Sequence, residues 1–234
     1  MMYYRRKLIL SIFEVFGGSL TAKQFQKYLF LITKRQEARS FDFMPYYYGC
    51  FSFQANYDMS VLMKMRYLEI IDSPAGRRIN LIRQSNCLSE LTAPDIRAVT
   101  QVKLEFGRMS QLELIRYTYI RYPYYAIKSK ISCDILTPKE LMIVDKQRKE
   151  FDNKTLFTIG YEGRSIDAYM NSLINNGVRV LCDVRKNAIS QKYGFSRNHL
   201  EKACAAVGIR YLHFPELGIE SDLRRELHEQ QDYD

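Results

Sequence analysis

Residues 155–214 alternate short apolar runs with amphipathic segments that end on glycine. The runs TLFTIGY, VRVLCDV and IRYLHF predict three strands, and the segments SIDAYMNSLINNG and FSRNHLEKACAAVG predict the two helices between them. Strands that alternate with helices over short turns pair in parallel and are joined by right-handed crossovers. The pattern therefore predicts an α/β domain with a parallel sheet over residues 155–234.

Residues 1–144 are typical of a mostly helical module. Apolar positions in residues 6–16 follow helical spacing, Gly17 and Gly18 would end that helix, and Ser19 or Thr21 would cap the next one. Residues 41–54 contain Pro45 and Gly49 and predict a packed connection without regular structure. Residues 67–82 predict a strand, a turn and a second strand, and helices continue over residues 95–150. Helices followed by a small hairpin indicate a winged-helix-like module, so the expected class is α+β together with α/β.

The charge differs between the two predicted domains, which are joined by a polar linker at residues 145–154. Residues 1–150 contain 24 Lys and Arg against 14 Asp and Glu, and residues 151–234 contain 11 against 12. A basic module suggests an anionic partner such as nucleic acid, and the alternative is a solvated basic surface without one. Residues 121–131 interleave aromatic and basic side chains that suit nucleic acid, although such stretches more often pack between domains. The predicted nucleic-acid contacts are Arg77 and Arg78 at the hairpin tip, and Arg121, Lys128 and Lys130.

Other classes of protein are excluded by composition. No apolar run approaches the roughly 18 residues of a membrane span. Residues 1–18 are not expected to be a signal peptide, because Glu14 interrupts their apolar run and no small-residue cleavage site follows. The five cysteines are widely spaced without metal-ligand spacing, as in a reduced cytoplasmic protein, and Cys182 is predicted to lie in the core. The sequence predicts no cofactor. The alternative is a divalent cation held by residues that follow the predicted strands.

Charged and small residues follow each of the three predicted strands. Because ligands bind beyond the carboxyl ends of parallel strands, these residues are expected to converge on one edge of the sheet. Glu162 and Asp183 could supply acid–base chemistry or hold a divalent ion, whereas Arg164 and the first N–H groups of a helix could hold phosphate. The alternative is that Glu162–Arg185 and Asp183–Arg164 pair as structural salt bridges. The remaining predicted ligand-binding residues are Tyr161, Gly163, Ser165, Lys186, Ser190, His213 and Glu216.

Two stretches resemble known families. AKQFQKYLFLI, followed by FDFMPYYYGCFSFQANYDMSVLMKMRYLE, resembles the Panacea-type domain of antitoxin-like bacterial proteins, which implies a recognition or regulatory module without chemistry. FTIGYEGRS, LCDVRKNAISQKYGFS and IRYLHFPELGIES resemble, in order and spacing, the family of unknown function DUF488. That resemblance implies an α/β domain of bacterial and archaeal proteins with no established activity.

The DUF488 resemblance also implies a sheet that is incomplete at residue 234, since members continue into a further helix and strand with Cys-Glu and Cys-His-Arg motifs. An uncovered sheet edge predicts self-association. A terminal helix at residues 221–231 would leave Leu223 and Leu227 uncovered.

The favoured hypothesis is a protein that binds nucleic acid or a nucleotide-like anion at the strand-end site. One alternative is an enzyme acting on a phosphorylated or nucleotide-like substrate, and another is an antitoxin-like adaptor that binds protein.

Overall fold

The computed structural model describes residues 2–73, 76–83, 85–149 and 154–219. Over these ranges the chain forms nine α-helices and three small sheets, one of them parallel, which confirms the α+β class. Within the same ranges, no helix combines the length and the apolar character needed to cross a lipid bilayer. The predicted helix at residues 221–231, with Leu223 and Leu227, lies outside the described residues.

The first two helices begin and end where local sequence signals place them. Helix α1 (Tyr4–Val15) is followed by Gly17 and Gly18, whose φ angles of 89° and 79° suit the turn after it. A short strand, β1 (Ser19–Leu20), leads into α2 (Ala22–Thr33). Thr21 caps α2 in a capping box, since its Oγ1 accepts from Gln24 N and Gln24 Oε1 accepts from Thr21 N, each at 3.1 Å.

Residues 41–54 are more regular than predicted. Strands β2 (Met44–Tyr46) and β3 (Gly49–Phe51) form an antiparallel hairpin, and Phe53 begins helix α3 (Phe53–Lys64). Pro45 is tolerated because this sheet has only two strands, so a proline removes no ladder bond from a central strand. The prediction of an irregular connection was therefore wrong.

The predicted strand–turn–strand segment is confirmed. Strands β4 (Leu68–Ser73) and β5 (Gly76–Leu81) pair antiparallel, and β5 also pairs with β1, which gives the sheet order β1-β5-β4. The helices predicted after it are also present. They are α4 (Ala93–Phe106), α5 (Gln111–Arg121), α6 (Ser132–Ile135) and α7 (Pro138–Asp145).

The C-terminal region contains two of the three predicted strands. Helix α8 (Ile166–Asn175), strand β6 (Val180–Asp183), helix α9 (Arg197–Ala206) and strand β7 (Arg210–His213) follow in order, and β6 pairs with β7 in parallel. The strand predicted at residues 155–161 is wrong, since the structure forms no strand there and leaves Leu156 93% exposed. Its composition gives strand propensity, but propensity forms a strand only where packing and pairing support it.

The cores of the two regions are joined by a residue from the β2–β3 hairpin. One large cluster fills the space between α1, α2 and α4, and a second lies around α8, β6 and α9. Met44, which is fully buried, packs in the second cluster although it belongs to β2. Tyr57 of α3 and Tyr193 also stack, with ring centroids 4.1 Å apart. The C-terminal region is thus packed directly against the N-terminal one.

Asp167 is the polar centre of this contact. Its side chain is fully buried, and its carboxylate accepts hydrogen bonds at the N-terminus of α3. Ser52 Oγ donates to Oδ2 at 2.9 Å, Phe53 N to Oδ1 at 2.7 Å and Gln54 N to Oδ2 at 3.1 Å. Since the first N–H groups of a helix have no partner within that helix, Asp167 of α8 supplies one from the other region.

We expect the stability of the protein to depend on the ionisation of Asp167. Burial raises the pKa of Asp167 to about 7, although hydrogen bonds from Gln54, Phe53 and Ser52 act to lower it. A carboxyl group whose pKa is higher in the folded protein than its ordinary 3.8 holds its proton more tightly when folded. Its contribution to the free energy of unfolding should therefore decrease as pH rises from about 4 to about 7, by at most ~1.4 kcal/mol per unit, and then level off. Urea denaturation at stepped pH measures this.

The Asp167→Asn variant serves as the reference for that measurement. It cannot titrate, so subtracting its pH profile removes the contribution of all other groups. Identical profiles for the variant and the unmodified protein would contradict the prediction.

Candidate functional site

The parallel register of β6 and β7 places two of the predicted site residues side by side. Asp183 pairs with His213 at the carboxyl ends of the strands, and Phe214 N donates to Asp183 O at 2.9 Å. The loops that follow the two strands, residues 184–196 and 214–219, therefore begin at the same edge. We call this edge the strand-end site.

The Asp183–Arg185 ion pair is the centre of the strand-end site. Arg185 Nε lies 2.8 Å from Asp183 Oδ1 and Nη2 lies 2.6 Å from Oδ2, which is a bidentate geometry. Arg185 N also donates to Oδ1, and Tyr211 donates its hydroxyl to Oδ2 at 2.6 Å. Both side chains are mostly buried, with 5% of Asp183 and 16% of Arg185 exposed.

The protonation state of this pair follows from its contacts. Burial acts to raise the pKa of Asp183. Hydrogen bonds from Arg185 and Tyr211 lower it by more, so the pKa lies below its ordinary value. The hydrogen bond to Asp183 raises the pKa of Arg185 in turn. Asp183 is therefore a carboxylate at neutral pH that orients the Arg185 guanidinium. The alternative pairs predicted from sequence, Glu162–Arg185 and Asp183–Arg164, are not the ion pair found in the described part of the chain.

One nitrogen of Arg185 makes no hydrogen bond of normal geometry. Nη1 is buried and makes no hydrogen bond to any of the described residues. A buried guanidinium nitrogen without an acceptor is costly in a folded protein. The Tyr161 side chain also acts to raise the pKa of Arg185, so it offsets part of this cost.

Tyr161 brings the preceding loop to the same site. The Arg185 guanidinium carbon lies 5.2 Å from the centre of the Tyr161 ring, within the range of a cation–π contact. That ring stacks on Phe195, with centroids 4.8 Å apart and planes inclined by 23°. Lys192 Nζ donates to Tyr161 O at 3.1 Å. The loop reaches the site without the strand that was predicted to deliver it.

His213 connects the site to α9. Its Nε2 lies 2.8 Å from Arg185 O, and since a carbonyl oxygen only accepts, Nε2 carries the hydrogen. Its Nδ1 faces Arg197 Nη1 at 3.5 Å and can accept from it. Lys192 and Arg197 are both exposed at this edge. Neither they nor Tyr211 were predicted, although Arg197 lies within the predicted helical segment FSRNHLEKACAAVG and Tyr211 lies within the predicted strand IRYLHF.

Four predicted residues before α8 lie at the border of the site. Glu162 is exposed, and Gly163 adopts a φ of 66° in the turn. Arg164 Nη1 donates to Ser172 Oγ at 3.1 Å, so its side chain lies along α8. Ser165 caps α8 by accepting from Ala168 N at 3.0 Å, and it donates to Asp42 Oδ2 at 2.7 Å. Arg164 and Ser165 thus have partners within the fold.

The other predicted ligand-binding residues lie on the two loops. Ser190 Oγ accepts from Lys192 N at 3.1 Å, and Ser190 O accepts from Ser196 Oγ at 2.9 Å, which closes the loop before α9. Lys186 is exposed, and Gly218 packs so closely on its backbone that a methyl group would not fit. Glu216 is exposed in the 3₁₀ helix Pro215–Leu217.

The structure places Cys182 differently from the prediction. Cys182 is exposed, and Leu181 and Asp183 on either side of it are the buried residues of β6. The prediction of a core cysteine assumed that both faces of the sheet are covered. No group of three or more His, Cys, Asp and Glu side chains in the described ranges is arranged to hold a metal ion.

The predicted nucleic-acid contacts lie on β5, at the end of α5 and in the segment between α5 and α6. Arg77 pairs with Asp72 at 2.8 Å, and both side chains are 70% exposed. Arg78 donates to Ser19 Oγ and O at 2.8 and 2.7 Å. Arg121 lies beside the Tyr122 ring, and Lys130 Nζ lies 3.9 Å from the centre of the Tyr47 ring. Lys128 lines a cleft together with Arg179.

Comparison with known proteins gives a family match for part of the chain. A family model described as "Domain of unknown function DUF488" matches residues 165–234, which include α8, β6, α9 and β7. No curated protein matches the chain. The match supports a DUF488-type domain in the segment that carries the Asp183–Arg185 pair.

Proposed function

We propose that the protein binds nucleic acid or a nucleotide-like anion at the strand-end site. The proposal rests on the cations at this edge, where exposed Lys192 and Arg197 flank the buried Asp183–Arg185 pair. A phosphate oxygen is the acceptor that a guanidinium group prefers, and Arg197 presents its guanidinium group to solvent.

The surroundings of Arg185 support the same class of ligand. Lys192 and Arg197 add two exposed cations at this edge, and Tyr161 adds an aromatic ring. Cations together with aromatic rings bind phosphates and bases without strict sequence preference. In this proposal Asp183 positions Arg185 and does not transfer a proton. We further propose that residues 1–144 form a Panacea-type, winged-helix-like recognition module in a cytoplasmic protein.

The test is fluorescence anisotropy with a labelled single-stranded oligonucleotide over a salt series. The double variant Lys192→Ala/Arg197→Ala is expected to bind more weakly at low salt. If both cations contact phosphates, the slope of log K against log salt should decrease in magnitude by about 1.4, since each contact with a single strand contributes about 0.7.

Lys202→Ala is the matched control, because Lys202 is exposed on α9, the helix that carries Arg197. It should leave the slope unchanged. Competition by a mononucleotide distinguishes a nucleotide-sized ligand from a polymer. Binding with the same slope in the double variant and the unmodified protein would refute contact at this site.

A further inference from the structure

A second cleft lies at the opposite ends of β6 and β7, where the chain enters the two strands. Its volume is about 210 Å³. Val178 and Arg179 precede β6, and Gly208 and Ile209 precede β7, so the C-terminal region forms one wall. The other wall comes from the region before residue 150. The lining residues of this entry cleft are Ile127, Lys128, Arg148, Lys149, Ile174, Gly177, Val178, Arg179, Val207, Gly208 and Ile209.

The entry cleft is strongly basic. Four of its lining residues are cations, namely Lys128, Arg148, Lys149 and Arg179, and none is acidic. Arg148 forms an exposed ion pair with Asp145 at 3.1 Å. Within the described ranges, the other three cations make no ion pair with a carboxylate.

The negative ends of two helices offset only part of this positive charge. The cleft borders Gly177 and Gly208, which follow the C-terminal ends of α8 and α9. A helix C-terminus carries about half a negative charge, so two ends offset roughly one of the four cations. Burial, and then the charge of Arg148, lower the pKa of Lys128, which means that its positive charge is poorly compensated in the folded protein. Among the residues that the structure describes, the cleft therefore carries more positive charge than the Asp145 carboxylate and the two helix ends offset.

We propose that the entry cleft binds the phosphate groups of an anionic ligand and thereby links the two regions of the chain. The volume is below the 300 to 1,000 Å³ typical of sites that enclose a whole small organic molecule. The cleft thus has room for phosphate groups but not for a whole enclosed nucleotide. Such groups occur in free pyrophosphate and in the backbone of a nucleic acid.

Pyrophosphate is the probe for this proposal, and isothermal titration calorimetry at low salt is the measurement. The unmodified protein is expected to bind it, with affinity that falls as salt is raised. Lys128→Met and Arg179→Gln should each reduce the affinity about tenfold or more, since hydrogen bonds to charged groups are worth about 1.5–3 kcal/mol. Lys139→Met is the matched control on α7, where Lys139 is exposed and outside the cleft.

Melting of the ligand-free variants separates a binding role from a structural one. If Lys128 served to stabilise the ends of α8 and α9, Lys128→Met would melt at a lower temperature. We expect Lys128→Met to melt at or above the temperature of the unmodified protein, because the variant lacks a charge that burial and Arg148 disfavour. Pyrophosphate affinity decides the proposal, and unchanged affinity in both Lys128→Met and Arg179→Gln would overturn it.

Competition identifies the source of the phosphate. A single-stranded oligonucleotide that displaces pyrophosphate from the unmodified protein, but loses affinity in Lys128→Met, indicates a nucleic-acid backbone. An oligonucleotide that fails to displace pyrophosphate indicates a free phosphate compound. The Lys192→Ala/Arg197→Ala variant should keep its pyrophosphate affinity, so failure of the strand-end site and failure of the entry cleft can be told apart.

Discussion

Replacing Asp167 with alanine is expected to lower the free energy of unfolding by about 3 kcal/mol at neutral pH. The variant would leave three donors without their acceptor, namely Ser52 Oγ, Phe53 N and Gln54 N. Each unsatisfied buried donor costs about 1–3 kcal/mol, although water that enters the space would recover part of the loss. Asp167→Asn should lose less, because the amide oxygen still accepts. Urea denaturation with a fitted midpoint and slope gives the free energies.

The control for this experiment is Asp134→Ala. Asp134 is also an acidic residue in the first turn of a helix, but it is exposed. Its replacement should change the free energy of unfolding by less than about 0.5 kcal/mol, as is usual for surface positions. A loss for Asp167→Ala no larger than that of the control would mean that the buried carboxylate does not hold the two regions together.

Gly49→Ala is expected to destabilise the protein by about 3 kcal/mol for a different reason. Gly49 has a φ of 91°, which alone costs an alanine about 1–2 kcal/mol. A Cβ atom would also lie 2.5 Å from Tyr119 Cε1 and 3.2 Å from Lys27 Nζ. Neither group can move aside easily, because Tyr119 is buried with its hydroxyl 2.7 Å from Ser129 Oγ, and Lys27 Nζ donates to Tyr48 O at 2.6 Å. Overpacking of this kind costs about 1–3 kcal/mol.

Gly18→Ala separates the two contributions. Gly18 has a φ of 79°, yet a Cβ atom there would meet nothing within 4 Å. Its loss of stability should therefore reflect the backbone conformation alone and be smaller by about 1–3 kcal/mol. Tyr119→Leu in the Gly49→Ala background tests the cause, since the two changes should be less than additive. Equal losses for Gly49→Ala and Gly18→Ala would rule out the steric explanation.

Helices were predicted well because their signals are local. Thr21 and Gln24 lie three residues apart and form the capping box by themselves, so sequence alone identifies the start of α2. Strands depend on partners elsewhere in the chain. TLFTIGY has the composition of a strand but forms none in the described structure. The β2–β3 hairpin, in contrast, forms around Pro45, which was taken as evidence against regular structure.

The strand-end site could be located from sequence, but its contacts could not be. The adjacency of Asp183 and His213 follows from parallel pairing of two recognisable strands. The pairing of Asp183 with Arg185 depends on how the chain turns after β6, and the approach of Arg197 depends on the loop before α9. Asp167 was missed because an acidic residue in a first helical turn usually faces solvent. Its spacing from Met170 and Leu173, on the apolar face of α8, was the available signal.

The burial of Met44 within the α8, β6 and α9 cluster has a consequence for protein engineering. A graft of residues 165–219 onto another scaffold would leave behind the side chain that fills this cluster, with a cavity expected to cost about 2–5 kcal/mol. It would also leave Asp167 without its three donors. Adding residues 42–54 to the graft would restore both. The portable unit of this protein is therefore made of two stretches that are distant in sequence, and recombination that exchanges only one of them should yield unstable chimaeras.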